Sequence, residues 1–265
     1  MKKITLVMPV YNEQDCIMQV VQDWYTVLEQ RFAPEDFTLL VVDDGSKDNT
    51  AAYLQAMREN YPSLYLLQQK NAGHGMAVMN GYKKALEMKS EYVFQVDSDN
   101  QFEAKDFDLL WQKRFDSPFI LGQRKIRHDA FVRLIITRIV ILINLFLFFV
   151  YIPDANIPYR LMRGEFLARL LHRMPFNTFI PNIFLSVLAK KQKVALLSIP
   201  VQHKERKTGT VSILRWKLVK VCFTCTMQLI KLRWSLWLGK ATMKSTDYLP
   251  TSLSDDLAPF SKEKN

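Results

Sequence analysis

The chain has 265 residues, 49% of them hydrophobic, and a formal net charge of +10, which excludes an intrinsically disordered protein and leaves room for a large core in one domain or two. The charge is unevenly spread: residues 1–119 hold 12 Lys/Arg against 18 Asp/Glu, whereas residues 120–245 hold 22 against 4. The second part therefore calls for a polyanionic partner, whether nucleic acid, an acidic membrane surface or a phosphorylated substrate.

Cys16, Cys222 and Cys225 are odd in number and no cleavable secretory signal precedes them, so a reducing cytosol is the expected compartment. Cys222 and Cys225 form a lone CxxC inside an apolar, basic helical stretch, without the second ligand pair that a zinc site needs, and read as packing.

In chain order, ITLVMPV (4–10), FTLLVVD (37–43), LYLLQ (64–68), YVFQVD (92–97) and FILG (119–122) are short apolar runs of strand length. Amphipathic stretches of helical length, 14–31, 48–60 and 74–89, lie between the first four. This alternation predicts an α/β fold with an open, mostly parallel sheet flanked by helices, whose ligands bind beyond the carboxyl ends of the strands. Those ends read PVYNE (9–13), DDGSKDNT (43–50), KNAGHG (70–75) and DSDNQ (97–101). Neither GxGxxG nor GxxxxGK[ST] occurs, so the dinucleotide and P-loop fingerprints are absent. Asp97, Ser98, Asp99 and Asn100 suit a solvated turn, since short polar side chains fold back on their own backbone. Two acids at a strand end equally suit a hard divalent cation whose shell a bound phosphate completes.

After residue 122 the alternation is expected to stop. FVRLIITRIVILINLFLFFVYI (131–152) contains an uninterrupted apolar segment of 14 residues, 139–152, with Asn144 inside it. A spanning helix needs about 20 apolar residues, so this one is read as interfacial, with burial against the sheet as the alternative. Residues 211–240 interleave Lys/Arg with Trp, Leu and Phe, a pattern that favours a membrane interface. Residues 245–265 have little periodicity and read as a disordered tail.

With PVYNE, VVDDGSKDNT, KNAGHGMAVMNGYKKAL and VDSDNQF in this order and spacing, the chain resembles the family 2 glycosyltransferases of GT-A fold, and within them the polyprenyl-phosphate, dolichyl-phosphate mannose synthase-like enzymes. The resemblance implies that Pro9, Tyr11, Glu13, Asp43 and Asp44 hold the nucleotide of a nucleotide-sugar donor and that Lys70 faces its phosphates. Asp97, Asp99 and Gln101 match the family's DxDxQ and would hold Mg2+ or Mn2+ against the donor diphosphate. Arg124 in LGQRK, Arg133 or Arg138 in the following helix, and Arg206, Gly209 and Ser212 in RKTGTVS match the family more loosely. DANIPYRLMR (154–163) stands where the family has D…GFR, with Asn-Ile-Pro-Tyr in place of the usual small residue and Gly-Phe.

Many family 2 enzymes carry an acidic pair at a helix start that serves as general base for a hydroxyl acceptor. Here that region reads FIPNIFLSVL (179–188), with Pro181 and Asn182 where the pair would fall. A phosphate acceptor is already ionised and needs positioning instead, so Arg124, Arg138 and Arg206 are assigned to gripping it. The expected organisation is a GT-A domain over 1–210, a basic amphipathic membrane-associating segment over 211–244, and the tail. The expected activity is metal-dependent, inverting transfer of one sugar to a polyprenyl phosphate at the cytoplasmic face of the cell membrane, by a peripheral or monotopic protein. A soluble family 2 enzyme acting on a glycan or protein hydroxyl is the alternative. Nucleic acid is not an expected partner, because strand-end acids would repel its backbone.

Overall fold

The structure, a computed structural model, describes residues 3–124, 131–174, 177–192, 194, 196–204 and 215–238, with 131–137 and 215–222 as backbone alone. Within these residues the strands β1 (Ile4–Val10), β2 (Phe37–Asp43), β3 (Leu64–Gln68), β4 (Tyr92–Gln95), β5 (Phe119–Arg124), β6 (Arg160–Arg163) and β7 (Leu197–Val201) form one sheet, ordered β3-β2-β1-β4-β6-β5-β7. Only β6 runs antiparallel to its neighbours, β4 and β5; the other pairings are parallel. The expected open, mostly parallel α/β sheet is therefore present.

The helices are α1 (Ile17–Glu29), α2 (Thr50–Met57), α3 (His74–Glu87), α4 (Phe107–Trp111), α5 (Phe131–Phe148), α6 (Gly164–Leu171), α7 (Pro181–Lys191) and α8 (Arg215–Trp237). Helices cover both faces of the sheet, so every residue of β1 and β2 is buried and those strands read as continuous apolar runs instead of alternating ones. On α1, Ile17, Val20, Val21, Trp24, Tyr25 and Leu28 recur at helical spacing and form its buried stripe.

The alternation does not stop after residue 122: β6 and β7 extend the sheet. β6 hides in sequence because it is four residues with an arginine at each end. β7 is an edge strand that carries Pro200 where no sheet donor is needed. The helix expected over 131–152 ends at Phe148, where Phe149 turns into the left-handed region at φ 57° and stops it. Val150 and Ile152 then enter the core.

The helix α5 is two-faced: Asn144 and Phe148 are buried, whereas Ile139, Leu142, Leu145 and Phe146 are exposed. It packs against α8, whose Leu229 and Leu232 are buried while Phe223, Trp234 and Trp237 are exposed. No helix among the described residues is long and apolar enough to cross a membrane. The expected boundary at 210/211, the tail 245–265 and Arg206, Gly209 and Ser212 lie outside the described residues.

Candidate active site

In this sheet order β2 and β3 are added on one side of β1 while β4 lies parallel to it on the other, so the strand order reverses between β1 and β4, the switch point where open α/β sheets bind ligands. A cleft of about 430 Å3 opens there, lined by Pro9 and Val10 at the end of β1, Tyr11, Asn12 and Glu13 after it, Asp44 after β2, Asn71, Gly73, His74 and Ala77 around the start of α3, and Asp97, Ser98 and Asp99 after β4.

The first two loops are tied to each other. Asn12 N donates to Ser46 Oγ at 3.0 Å, Lys47 N to Asn12 Oδ1 at 2.8 Å, Gln14 N to Asp48 Oδ2 at 3.2 Å, Asn49 N to Gln14 Oε1 at 3.1 Å and Glu13 N to Thr50 Oγ1 at 2.9 Å. Much of YNE and DDGSKDNT therefore shapes one wall of the cleft by satisfying backbone groups that leave the sheet. Asp43 is buried and its Oδ1 accepts from Ser46 N at 3.0 Å and Ser46 Oγ at 2.5 Å.

Asp44 organises the next loop. Its Oδ1 accepts from Gln69 Nε2 at 2.7 Å and Ala72 N at 2.8 Å, and its Oδ2 from Gly73 N at 2.9 Å. The carboxylate thereby curls residues 69–73 around the cleft. Gly45 makes this approach possible: its φ is +71°, and a Cβ there would stand 2.8 Å from Asn71 N.

After β4, Asn100 turns at φ 56° and presents Asp97 and Asp99 to the cleft. Asp97 Oδ1 is buried without a hydrogen-bond partner and lies 3.7 Å from His74 Nε2. Burial raises the Asp97 carboxyl pKa above its usual range, while the charges of His74, Arg124 and Arg160 pull it back down. An oxygen desolvated yet unsatisfied in a cleft fits a cation ligand. Among the described residues no three His, Cys, Asp or Glu side chains form a metal cage. Asp97 and Asp99 thus fit part of a shell that substrate phosphate oxygens complete, the usual arrangement for Mg2+.

Beneath the cleft lies a fully buried arginine that sequence reading left without a role. Arg160 Nε donates to Ile157 O at 3.1 Å, and the two other guanidinium nitrogens to Asn182 O at 3.0 Å, Ala155 O at 3.3 Å and Ile157 O at 2.5 Å. Burial lowers its pKa. The loop 155–159, which lacks the family's glycine, is held in place by these bonds. Asn182 at the start of α7 is also buried, with its Oδ1 3.5 Å from Tyr82 Oη, the hydroxyl that donates to Gln95 Oε1 at 2.6 Å.

The structure gathers Pro9, Tyr11, Glu13, Asp44, Asp97 and Asp99 around one cleft. Asp43 lies behind the wall, Lys70 is exposed, and Gln101 is beside β7, donating to Lys204 O at 3.2 Å. Arg124 pairs with Asp154 at 3.6 Å, and Arg138 is exposed on α5. Sequence reading passed over Asn12, Asn71, Gly73, His74 and Ser98, although they sit inside the quoted motifs. The signal available was position, two to six residues past a strand end.

A model of glycosyl transferase family 2 matches residues 5–170. Glucosyl-3-phosphoglycerate synthase from Mycobacterium tuberculosis, solved with Mn2+ and UDP-glucose, is similar in fold with a TM-score of 0.62 at 15% identity, over 88% of this chain and 79% of that one. TarS 1-349 from S. aureus in complex with UDP gives 0.57 at 17% identity, over 97% of this chain and 71% of that one. At such identities the likeness concerns the fold, which is of the GT-A type.

Proposed function

The chain belongs to glycosyl transferase family 2, and on that footing we propose that this glycosyltransferase moves one sugar from a nucleotide-sugar donor to a polyprenyl (undecaprenyl or dolichyl) phosphate at the cytoplasmic membrane face, with inversion. The observation that carries the acceptor class is Asn182. By the resemblance it falls, with Pro181, where many members of the family carry the acidic pair that supplies a general base, and it is buried, with its side chain turned to Tyr82 and its carbonyl to Arg160. A hydroxyl acceptor needs its proton removed there; a phosphate does not.

Pro9, Tyr11, Glu13 and Asp44 supply the nucleoside side of the cleft, with Asp43 bracing Ser46 behind it. Asp97 and Asp99 face the diphosphate side, and Lys70 borders it. A bound Mg2+ or Mn2+ would offset the negative charge of the departing diphosphate. The loops tied between Asn12 and Thr50 hold these groups before the donor arrives, which limits the reorganisation that transfer requires. Arg124, Arg138 and Arg206 are the cations assigned to the acceptor phosphate, Gln101 remains a candidate metal ligand, and the exposed aromatic faces of α5 and α8 provide the lipid contact.

A screen of nucleotide sugars with Mn2+ or Mg2+ and polyprenyl phosphate tests this reading. Consumption of one donor only when lipid phosphate is present supports it; consumption driven equally by soluble hydroxyl compounds contradicts it. A soluble acceptor is the second reading, favoured by the complex of the mycobacterial synthase with phosphoglyceric acid, and phosphoglyceric acid belongs in the same screen.

A further inference from the structure

The segment that leads into α7 is gripped from outside by α8. Gln228 Oε1 accepts from Phe179 N at 3.1 Å and from Thr178 Oγ1 at 3.2 Å, and Gln228 Nε2 donates to Asn177 O at 3.1 Å. One side-chain amide thus engages three consecutive residues, using its acceptor twice and its donor once. Thr178 is buried, and its Oγ1 also accepts from Ile180 N at 3.3 Å.

The inner side of this segment rests on the first turn of α3. A Cβ on Gly75 would stand 2.2 Å from Thr178 O and 3.0 Å from Phe179 Cα, so the two backbones touch. The residue before Gly75 is His74, which lines the cleft and faces Asp97. Residues 177–180 are therefore held between α8 on one side and the wall of the cleft on the other. The same residues lead into α7 and its Asn182.

We propose that Gln228 is a positioning residue that ties α8 to the 177–180 segment, so that the seating of α8 fixes the wall of the cleft at His74 and the start of α7. Only the identity of what α8 sits on, a lipid surface, rests on the function proposed above. The exposed face of α8 carries Phe223, Trp234 and Trp237, and Gln228 is not part of it.

Hydrogen exchange of the 177–180 amides in wild type, Gln228→Ala and Gln228→Glu tests the tie, with circular dichroism to verify folding. The alanine variant should exchange at Phe179 about tenfold faster, as expected for one lost amide bond. The glutamate variant should restore protection at Phe179, because it still accepts there. Turnover of the alanine variant should fall about tenfold with the donor KM unchanged. Equal exchange in wild type and Gln228→Ala, or an unchanged kcat, would overturn the proposal. Adding phosphatidylglycerol–phosphatidylcholine vesicles separates the two readings: slower exchange at 177–180 in wild type alone supports the coupling. Vesicles that bind both proteins without slowing the wild type overturn it. A wild type that ignores vesicles but keeps the tenfold difference overturns the membrane reading and leaves the tie standing.

Discussion

Arg124 Nε stands 3.6 Å from Asp154 Oδ2, with the two side chains only 17% and 11% exposed. The arginine that ends β5 is thereby anchored to the loop running into β6, close enough for its charge to act on Asp97. Arg124→Ala should weaken acceptor use ten- to a hundredfold, a loss of ~1.5 to 3 kcal/mol for a charge-assisted contact, with donor affinity retained. Arg124→Lys should recover part of it, because the charge remains and the fork does not. Steady-state kinetics varying donor and acceptor separately decide this; an unchanged acceptor dependence would make Arg124 a strut.

Asp97 gives a stability signature opposite to its activity signature. Burial raises its pKa, so the folded state holds this proton more tightly than the unfolded chain. The contribution favours folding below the ordinary carboxylate range and is lost as pH rises through the raised value. Asp97→Asn should therefore raise the metal-free Tm at neutral pH, and the gap should close toward pH ~4. Mn2+ should raise the Tm of wild type and not of the variant, while Asp97→Asn and Asp99→Ala abolish transfer. Full activity in EDTA, or equal Mn2+ stabilisation of both proteins, would remove the metal assignment.

Gly45→Ala should cost stability and donor affinity together. Its left-handed φ of +71° disfavours a side chain by ~1–2 kcal/mol, and the new Cβ would press on Asn71, which lines the cleft. Thermal unfolding and nucleotide titration measure the two effects; a lower Tm with unchanged nucleotide affinity would separate the turn from the site.

At the end of α5 the exposed Leu145 and Phe146, with Phe149 just beyond the helix, make an apolar patch. Replacing all three with serine should release the protein from anionic vesicles in a flotation assay while leaving the fold intact, since exposed positions contribute little to stability. Retention on vesicles would show that α5 is not the anchor.

The strands β1, β2 and β3 were legible to the residue: β1 and β2 because strands covered on both faces are unbroken apolar runs ended by polar turns, and the partly exposed edge strand β3 because LYLLQ is a short apolar run of its own. The cleft was legible for the same reason: four strand ends carried Asp, Asn, Gly and Glu where a soluble core has no use for them. The partnerships were not legible. That Asp44 would spend both oxygens on residues 69–73, or that Arg160 would bond to carbonyls at 155, 157 and 182, depends on loops closing over distances that no local pattern encodes. The antiparallel β6 was hidden because its burial rests on its neighbours β4 and β5, and its terminal arginines break the apolar pattern.

The acceptor is tested by offering the purified protein, with its donor and Mn2+, a polyprenyl phosphate and the matching free polyprenol side by side across pH. On the proposed reading, in which the buried Asn182 replaces a base, the phosphate alone should be glycosylated, at a rate that falls as its second proton returns near pH ~6. Glycosylation of the free alcohol at a comparable rate would contradict the account.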